Sequence, residues 1–300
     1  MWVGTSALAY GVVTAKHRCL LALHAHPDDE SSKGSGTMAR YADEGIRVVL
    51  VCATRGEAGD ILNPRMDRPG IKERMAELRE AELETACDIL GVDRIYQLGY
   101  RDSGMPNTPH NDHPDAFCNA DPEEVVGRIV EIIRAERPEV ILAYDESRGY
   151  DHPDHVRVHE LGTRAFREAG DAEKHTGTGA PWQPSKLYYF ATFTKRRMEM
   201  LHEAAVAENI ESPFAEWLER WDESGFDDPE VTAQVDVSDY IELRSKALLA
   251  HATQIDPDSF WFAIPDEMHR KVYPWEDYTL VESHVDVTDP EDDLFTGVEG

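Results

Sequence analysis

Cysteine is scarce in this chain of 300 residues, and the four cysteines are widely separated. Consecutive cysteines lie 31 to 35 positions apart, and none belongs to a Cys-x-x-Cys pair. This spacing argues against a zinc site built from thiolates and against a dense disulfide framework. Cys19 and Cys52 lie inside apolar runs, where a buried free thiol is the usual finding. We therefore expect a reducing, cytoplasmic environment.

Positive charge is scarce as well. The chain has 30 Lys and Arg residues against 59 Asp and Glu residues, which gives a formal net charge of −29. A surface of that sign repels the phosphates of nucleic acids and of anionic membranes. We therefore expect neither nucleic acid nor a membrane as a partner. A small-molecule substrate is the expected partner, and the sequence leaves a homo-oligomer open.

A long apolar run is missing from the N-terminus. Residues 1–16 lack the basic n-region and the long h-region of a signal peptide, and they are too short and too polar to span a bilayer. We expect them to form a disordered extension. With 41% hydrophobic and 30% charged residues, the chain has the composition of a globular protein. We expect one domain over residues 17–290 and an acidic tail at 291–300, with the chain frayed from Asp286 onward.

Short apolar segments alternate with segments of helical periodicity along most of the chain. The expected strands are residues 19–23, 47–53, 94–98, 139–144, 186–192 and 231–237. The expected helices are residues 37–44, 71–90, 123–137, 155–169, 195–207 and 240–251. Strand–helix–strand units of this kind place their strands in parallel. The sequence therefore predicts an α/β fold: a single Rossmann-like domain whose mostly parallel sheet is flanked by helices, with the active site at the C-terminal ends of the strands.

A first cluster of reactive side chains follows the first strand directly. Its sequence is His24-Ala25-His26-Pro27-Asp28-Asp29-Glu30-Ser31. An imidazole and a carboxylate on one tight turn can point at a single ion, and N and O donors together suit Zn²⁺ better than Mg²⁺ or Ca²⁺. Taken alone, the same residues also fit an acidic helix start, in which the carboxylates complement the helix dipole. A third ligand is needed to decide between the two.

A second cluster follows the fourth strand and contains His152, Asp154 and His155. If both strands are central in the sheet, the two loops converge. His26, Asp29 and His155 would then supply three ligands and leave a coordination position open, as a catalytic zinc site requires. For this loop alone, a solvated turn with Asp154 as helix cap is the simpler interpretation. Two such loops at equivalent strand ends favour the metal site.

The other side chains of the two loops suit hydrolysis of an amide or ester. Zinc lowers the pKa of a bound water toward about 7, and Asp28 beside it could take the proton. His152 could stabilise the oxyanion of a tetrahedral intermediate or protonate the leaving amine. Asp154 is then expected to hold His152 in the required tautomer.

The paired His-Pro-Asp-Asp and His-Pro-Asp-His loops resemble those of the LmbE-like, or PIG-L-like, family of zinc-dependent deacetylases. The likeness runs from about Cys19 to near the C-terminus. Within this family the chain is most similar to the branch that hydrolyses mycothiol S-conjugates. Four segments carry that similarity, namely residues 24–34, 56–64, 149–155 and 251–257.

The resemblance implies an enzyme with one Zn²⁺ per subunit, held by His26, Asp29 and His155. It implies that Asp28 is the general base and His152 the oxyanion or acid partner. The implied reaction cleaves the amide that joins N-acylcysteine to glucosaminyl-inositol. One product would be a mercapturic acid, so the reaction would serve thiol-dependent detoxification.

The resemblance also implies four substrate contacts. Arg79 and Asp102 match positions that hold sugar and inositol hydroxyls, and Tyr150 matches one that moves over the reacting carbonyl. Lys33 occupies a position characteristic of the conjugate-hydrolysing branch. Plainer interpretations remain: Arg79 in a surface pair with Glu82, Tyr150 as a half-buried loop aromatic and Lys33 as a solvated side chain.

Two other functions compete with this one. The first is the sister activity, a deacetylase that removes acetate from N-acetylglucosaminyl-inositol during mycothiol synthesis. The second is a nucleotide- or sugar-binding module without catalysis. No Gly-x-Gly-x-x-Gly follows the first strand, and three carboxylates there would repel phosphate, which disfavours a nucleotide site.

Overall fold

A seven-stranded sheet forms the centre of the protein, which the computed structural model describes over residues 18–146, 150–224 and 227–299. The extension expected at residues 1–16 lies outside these ranges. The strands are β1 (Cys19–His24), β2 (Arg47–Thr54), β3 (Arg94–Tyr100), β4 (Val140–Ala143), β5 (Lys186–Phe190), β6 (Ala233–Asp236) and β7 (Trp275–Ser283). Their order is β3-β2-β1-β4-β5-β7-β6. Neighbours from β3 to β5 are parallel, and β7 is antiparallel to β5 and β6, which confirms the predicted α/β fold.

Helices flank the sheet. They are α1 (Asp29–Ser32), α2 (Ser35–Asp43), α3 (Met75–Leu90), α4 (Pro122–Glu136), α5 (Pro153–Glu168), α6 (Lys195–Ala207), α7 (Ala215–Ser224), α8 (Ile241–Ala250) and α9 (Asp266–Val272). The helix predicted over residues 71–90 begins with a 3-10 turn at Lys72–Arg74 and becomes α-helical only at Met75. In the described part of the chain, no helix has both the length and the apolar character needed to cross a membrane.

The position of β1 at the centre of the sheet follows from its sequence. All six of its residues are buried, as an apolar run without alternation predicts for a strand covered on both faces. Leu20 pairs with Val48 of β2 on one side and with Val140 of β4 on the other. The loops that follow β1 and β4 therefore leave adjacent strands, at the point where the strand order reverses. This adjacency is what the convergence of the two motifs requires.

The C-terminal part of the chain completes the sheet. β7, which the sequence pattern did not predict, inserts between β5 and β6. Farther along, Glu291 is buried and accepts a hydrogen bond from Lys186 Nζ at 2.6 Å, while Leu294 and Phe295 lie in the core. The expected fraying from Asp286 is therefore wrong for residues 291–299. A fully buried ammonium on β5 requires a carboxylate partner, and this segment supplies it.

Candidate active site

The loop between β1 and α1 brings His26 and Asp29 together. Both side chains are buried, and Asp29 Oδ2 accepts a hydrogen bond from the backbone N–H of His26 at 2.9 Å. The same oxygen lies 3.4 Å from His26 Nδ1, and Asp29 Oδ1 accepts from Lys33 Nζ at 2.8 Å. Burial alone would raise the pKa of Asp29, but Lys33 and the histidines around it hold that pKa well below its ordinary value. The carboxylate is therefore ionised and available as a ligand.

His155 completes the group from the first turn of α5. Its Nε2 lies 3.4 Å from Asp29 Oδ2, yet this buried nitrogen forms no hydrogen bond with any described residue. Two atoms bonded to one zinc ion at about 2.0–2.1 Å in tetrahedral geometry lie about 3.4 Å apart. Both nitrogen-to-Oδ2 separations match that spacing. His26, Asp29 and His155, the three ligands predicted from the motifs, thus form a group that fits a metal ion.

A second group of possible ligands overlaps the first. One atom from each of four residues lies within 4.8 Å of the others: His26, Asp102, His152 and Asp154. Asp154 is already engaged, because its carboxylate accepts hydrogen bonds from the N–H of Ser103 at 3.0 Å and from the Ser103 hydroxyl. His152 Nδ1 accepts from the N–H of Asp154 at 3.2 Å. The first group has freer donor atoms and is the better metal site.

Asp154 contacts His26 rather than the ring of His152. Its Oδ2 lies 3.2 Å from His26 Nε2, which leaves His26 Nδ1 facing Asp29. A carboxylate bonded to the outer nitrogen of a metal-binding histidine fixes the ring and its tautomer. The hydrogen bond that sets the tautomer of His152 therefore comes from the backbone N–H of Asp154 and not, as predicted, from its carboxylate, which acts on His152 through its charge.

His152 is held as a neutral donor. It is the N-cap of α5, and because its Nδ1 accepts the N–H of Asp154, the proton of the neutral ring lies on Nε2. Burial, with the nearby His26, lowers the pKa of His152 to about 4. Its Nε2 lies 3.9 Å from Asp102 Oδ1. At neutral pH this ring can therefore donate a hydrogen bond from Nε2.

Asp28 projects from the same loop with a backbone φ of 112°, in the region that L residues rarely adopt. Its Oδ2 accepts a hydrogen bond from Arg79 Nη2 at 2.9 Å, and Arg79 also donates to the carbonyls of Pro27 and Gly56. Gly56 has φ 66°, and a side chain there would collide with the guanidinium. Burial is the main cause of a raised pKa at Asp28. The surface pair with Glu82 considered for Arg79 does not form.

A buried pair that the sequence did not reveal, Glu30 and His251, holds the backbone of Asp28. The N–H of Asp28 donates to Glu30 Oε2 at 2.9 Å, and His251 Nε2 donates to Glu30 Oε1 at 2.6 Å. Both side chains are completely buried. Glu30 belongs to the first motif and His251 opens the segment 251–257, but they lie 221 positions apart. No local pattern signals such a pairing.

The remaining predicted residues lie around this cluster. Asp102 is buried and its Oδ1 accepts the N–H of Gly104 at 2.8 Å, 3.7 Å from His26 Nε2. Tyr150 is about half exposed, with its ring centroid 4.9 Å from that of His155. Lys33, whose ammonium binds Asp29, is not the freely solvated side chain considered above.

Comparisons with known proteins identify the family to which the chain belongs. Residues 21–166 match the family described as PIG-L: GlcNAc-PI de-N-acetylase. Over 93% of its length the chain is 45% identical to a mycothiol S-conjugate amidase of Streptomyces coelicolor, of which it covers 97%. The chain belongs to the PIG-L family. The predicted resemblance is confirmed, and so is the prediction of a hydrolase that acts on amide bonds. A binding module without catalysis is set aside.

Other members of the PIG-L family are also similar. The chain is 39% identical over 94% of its length to a 1D-myo-inositol 2-acetamido-2-deoxy-alpha-D-glucopyranoside deacetylase of Geodermatophilus obscurus, of which it covers 99%. Among solved structures, N,N'-diacetylchitobiose deacetylase of Pyrococcus horikoshii superposes with a TM-score of 0.61 at 21% identity, over 89% of this chain and 84% of that one. That likeness shows the shared fold. Metal dependence in this family agrees with the buried His and Asp cluster.

Proposed function

We propose that this protein is a zinc-dependent amidase that hydrolyses mycothiol S-conjugates to a mercapturic acid and glucosaminyl-inositol. The observation that carries the proposal is the 45% identity to an amidase of that name over nearly the whole of both chains. The buried cluster at the ends of β1 and β4 supplies the chemistry that such a reaction needs. Four free cysteines agree with a reducing, cytoplasmic setting, in which the reaction would serve thiol-dependent detoxification.

The proposed metal is one Zn²⁺ per subunit, held by His26, Asp29 and His155. Two imidazole nitrogens and one carboxylate oxygen form a donor set typical of catalytic zinc. Zinc bound there would polarise the scissile carbonyl and acidify a water molecule. Asp154 keeps His26 oriented through its outer nitrogen, and Lys33 holds the second oxygen of Asp29.

Asp28 is the proposed general base. Its carboxylate lies on the loop that carries two ligands, and its raised pKa makes it a stronger proton acceptor than an ordinary aspartate. Arg79 fixes the position of Oδ2 by a 2.9 Å hydrogen bond. Glu30 holds the backbone that places the side chain. The proton taken from water at Asp28 can then pass to the leaving amine.

His152 is the proposed partner of the developing oxyanion. Its Nε2–H is available because the backbone N–H of Asp154 occupies Nδ1. A neutral donor at this position strengthens its hydrogen bond as negative charge grows on the carbonyl oxygen. Tyr150, exposed beside the two histidines, is proposed to close over the carbonyl, while Asp102, Arg79 and Lys33 are proposed to contact the sugar and the conjugate.

The alternative is deacetylation of N-acetylglucosaminyl-inositol in mycothiol biosynthesis. The observation that favours it is the 39% identity to a deacetylase over nearly complete chains. The same site could cleave either amide, because the metal group and Asp28 act on the carbonyl and not on the acyl substituent. The two activities therefore differ in substrate contacts alone.

A direct competition of substrates tests the proposal. The zinc-loaded protein is assayed with a mycothiol-bimane conjugate and with N-acetylglucosaminyl-inositol, and we expect the higher kcat/KM for the conjugate. A higher value for the acetyl compound would establish the deacetylase instead.

The variant Asp28→Ala tests the role of the base. We expect it to lower kcat by roughly 10²- to 10⁴-fold, the usual contribution of general acid–base catalysis, while the zinc content stays near one per chain. Metal analysis and turnover are measured on the same preparation. Undiminished turnover in this variant would overturn the assignment of Asp28.

A further inference from the structure

A second pocket, outside the reaction cluster, contains two arginines. It consists of two small adjoining cavities that share Arg197 of α6, Arg244 of α8 and Glu276 of β7. The residues that line it come from segments far apart in the chain, so no local motif marks it. In a protein of net charge −29, two neighbouring guanidinium groups in one pocket require an explanation.

Neither guanidinium has a carboxylate partner within the described ranges. Arg197 donates from Nη1 to the carbonyl of Thr192 at 3.2 Å, and its buried Nε has no hydrogen-bond partner there. Arg244 lies over the ring of Trp261, 5.6 Å from its centroid. Burial and the charge of Arg197 lower the pKa of Arg244 to about 10, which leaves the Arg244 guanidinium cationic at neutral pH. Two guanidinium groups that line the same cavities are stabilised by an anion.

The carboxylates in the pocket wall do not fill that role. Glu276 accepts hydrogen bonds from the backbone N–H groups of Gly36 at 3.0 Å and Thr37 at 2.8 Å, at the start of α2. Asp277 accepts from Gln234 at 2.8 Å and from the hydroxyl of Tyr273 at 2.7 Å. Both carboxylates accept their hydrogen bonds from other donors and influence the two guanidinium groups through their charge, so N–H donors of the two arginines remain for a ligand.

The pocket adjoins the reaction centre. Ser32 and Gly34, which line it, flank Lys33 in the chain. Lys33 Nζ lies 3.2 Å from Ser32 Oγ and 2.8 Å from Asp29 Oδ1. Phe190, also in the wall, stacks on His24 with ring centroids 5.1 Å apart. These contacts place the pocket wall beside the loop that carries Lys33 and the proposed metal ligand Asp29.

An aromatic cluster, which does not itself line the two cavities, lies beside Arg244. Trp261, on which Arg244 lies, has Phe260 4.4 Å and Phe193 6.3 Å from its ring centroid. Phe193 and Phe260 are 39% and 49% exposed, unusually high for side chains of this size. Aromatic rings beside a pair of guanidinium groups suit a ligand with an apolar ring and a carboxylate.

We propose that Arg197 and Arg244 bind a carboxylate on the S-substituent of the substrate, with the substituent's apolar part on Trp261, Phe193 and Phe260. This inference rests on the proposed amidase function and extends it to a class of substrates. The preferred conjugates are those of aromatic acids, whose carboxylate the two guanidinium groups pair directly.

The test compares two conjugates of equal shape on the zinc-loaded protein: S-benzyl mycothiol and S-(4-carboxybenzyl) mycothiol. We expect the unmodified protein to favour the carboxylate by roughly tenfold in kcat/KM, the size of one charged hydrogen-bond pair. In Arg244→Gln and in Arg197→Gln that ratio should fall to about one. Arg244→Lys, which keeps the charge, should retain part of it.

Arg220→Gln on the exposed face of α7 is the matched control, because it removes the same charge outside the pocket and should leave the ratio unchanged. Calorimetric titration of the holoprotein with benzoate gives a readout without turnover. We expect binding to weaken roughly tenfold in Arg244→Gln. Because it does not depend on turnover, the benzoate titration tests carboxylate binding in the pocket separately from the proposed amidase activity. If both Gln variants keep the substrate ratio of the unmodified protein, the assignment is overturned, whether or not benzoate binds in the titration.

Discussion

Asp154 shows how one buried residue can organise a candidate reaction centre through the histidines beside it. It accepts two hydrogen bonds from Ser103 and lies 3.2 Å from His26 Nε2, while its backbone N–H fixes the tautomer of His152. The residue is completely buried. One amino acid thus sets the orientation of a proposed metal ligand and the donor state of a proposed oxyanion partner.

The variant Asp154→Asn separates these two effects, since it changes the side chain and keeps the backbone N–H. We expect zinc affinity to fall roughly 10- to 100-fold, as for other outer partners of metal-binding histidines. Competition with a chelator measures the change. Asp121→Asn is the control, because Asp121 caps α4 at an exposed position where asparagine caps equally well. Unchanged affinity together with a shifted pH profile of kcat would instead mean that the carboxylate acts on His152.

At the scale of elements, the end of α5 is tied to the loop that leads to β5 through Glu168. Its carboxylate accepts hydrogen bonds from Arg164 Nε at 2.8 Å, Lys174 Nζ at 2.8 Å and His175 Nε2 at 2.6 Å. Partial burial acts to raise the pKa of Glu168, but these three donors outweigh it and lower the pKa to about 2. The loop is therefore fastened by one ionised side chain.

This fastening predicts a pH-dependent stability. The pKa of Glu168 is about 2 in the folded protein and about 4.5 in the unfolded chain, so its contribution is complete above pH 4.5 and is lost as the pH falls toward 2. Glu168→Gln should lower the free energy of unfolding by about 1–2 kcal/mol at pH 7, a value reduced for solvent screening. Urea unfolding between pH 7 and 3.5 should show the difference shrinking below pH 4.5. The exposed Glu203→Gln serves as control, and a constant difference across this range would contradict the prediction.

The strands that the sequence marked most directly have an environment that is uniform along their length. β1, β2 and β4 are buried on both faces and read as continuous apolar runs. β7 contains acidic residues among its apolar ones, and its partners β5 and β6 precede it by tens of residues. Its place in the sheet depends on tertiary contacts, such as those of Asp277 with Gln234 and Tyr273, which a local pattern does not contain.

The same limit applies to the site. The two motifs predicted which residues meet, because each motif follows a central strand. They did not predict that Asp154 turns toward His26, since that depends on a side-chain rotamer and on the N–H of Ser103. Nor did they predict the Glu30–His251 pair, which only the packing of α8 beside the first motif creates.

At the scale of the whole molecule, the excess of 29 negative charges opposes compaction through self-repulsion. Salt shortens the reach of that repulsion, from about 10 Å at 0.1 M to about 3 Å at 1 M. We expect the melting temperature at pH 7 to rise between 0.1 and 1 M KCl by on the order of 5 °C. Scanning calorimetry measures it. Near the isoelectric point of about 4.7 the same addition should have little effect, and an equal rise at both pH values would show that screening is not the cause.

The late arrival of the Glu30–His251 pair has a consequence for biosynthesis. By the time residue 155 leaves the ribosome, every proposed metal ligand has been made. His251, which holds Glu30 against the backbone of Asp28, comes much later, 221 positions after Glu30. β6 likewise pairs with β7, which is made after it, and Lys186 binds Glu291, which is also made later. Contacts at such sequence separations form slowly, because a long segment must be ordered first. The nascent protein therefore gains its ligands early and its catalytic geometry only at the end of translation.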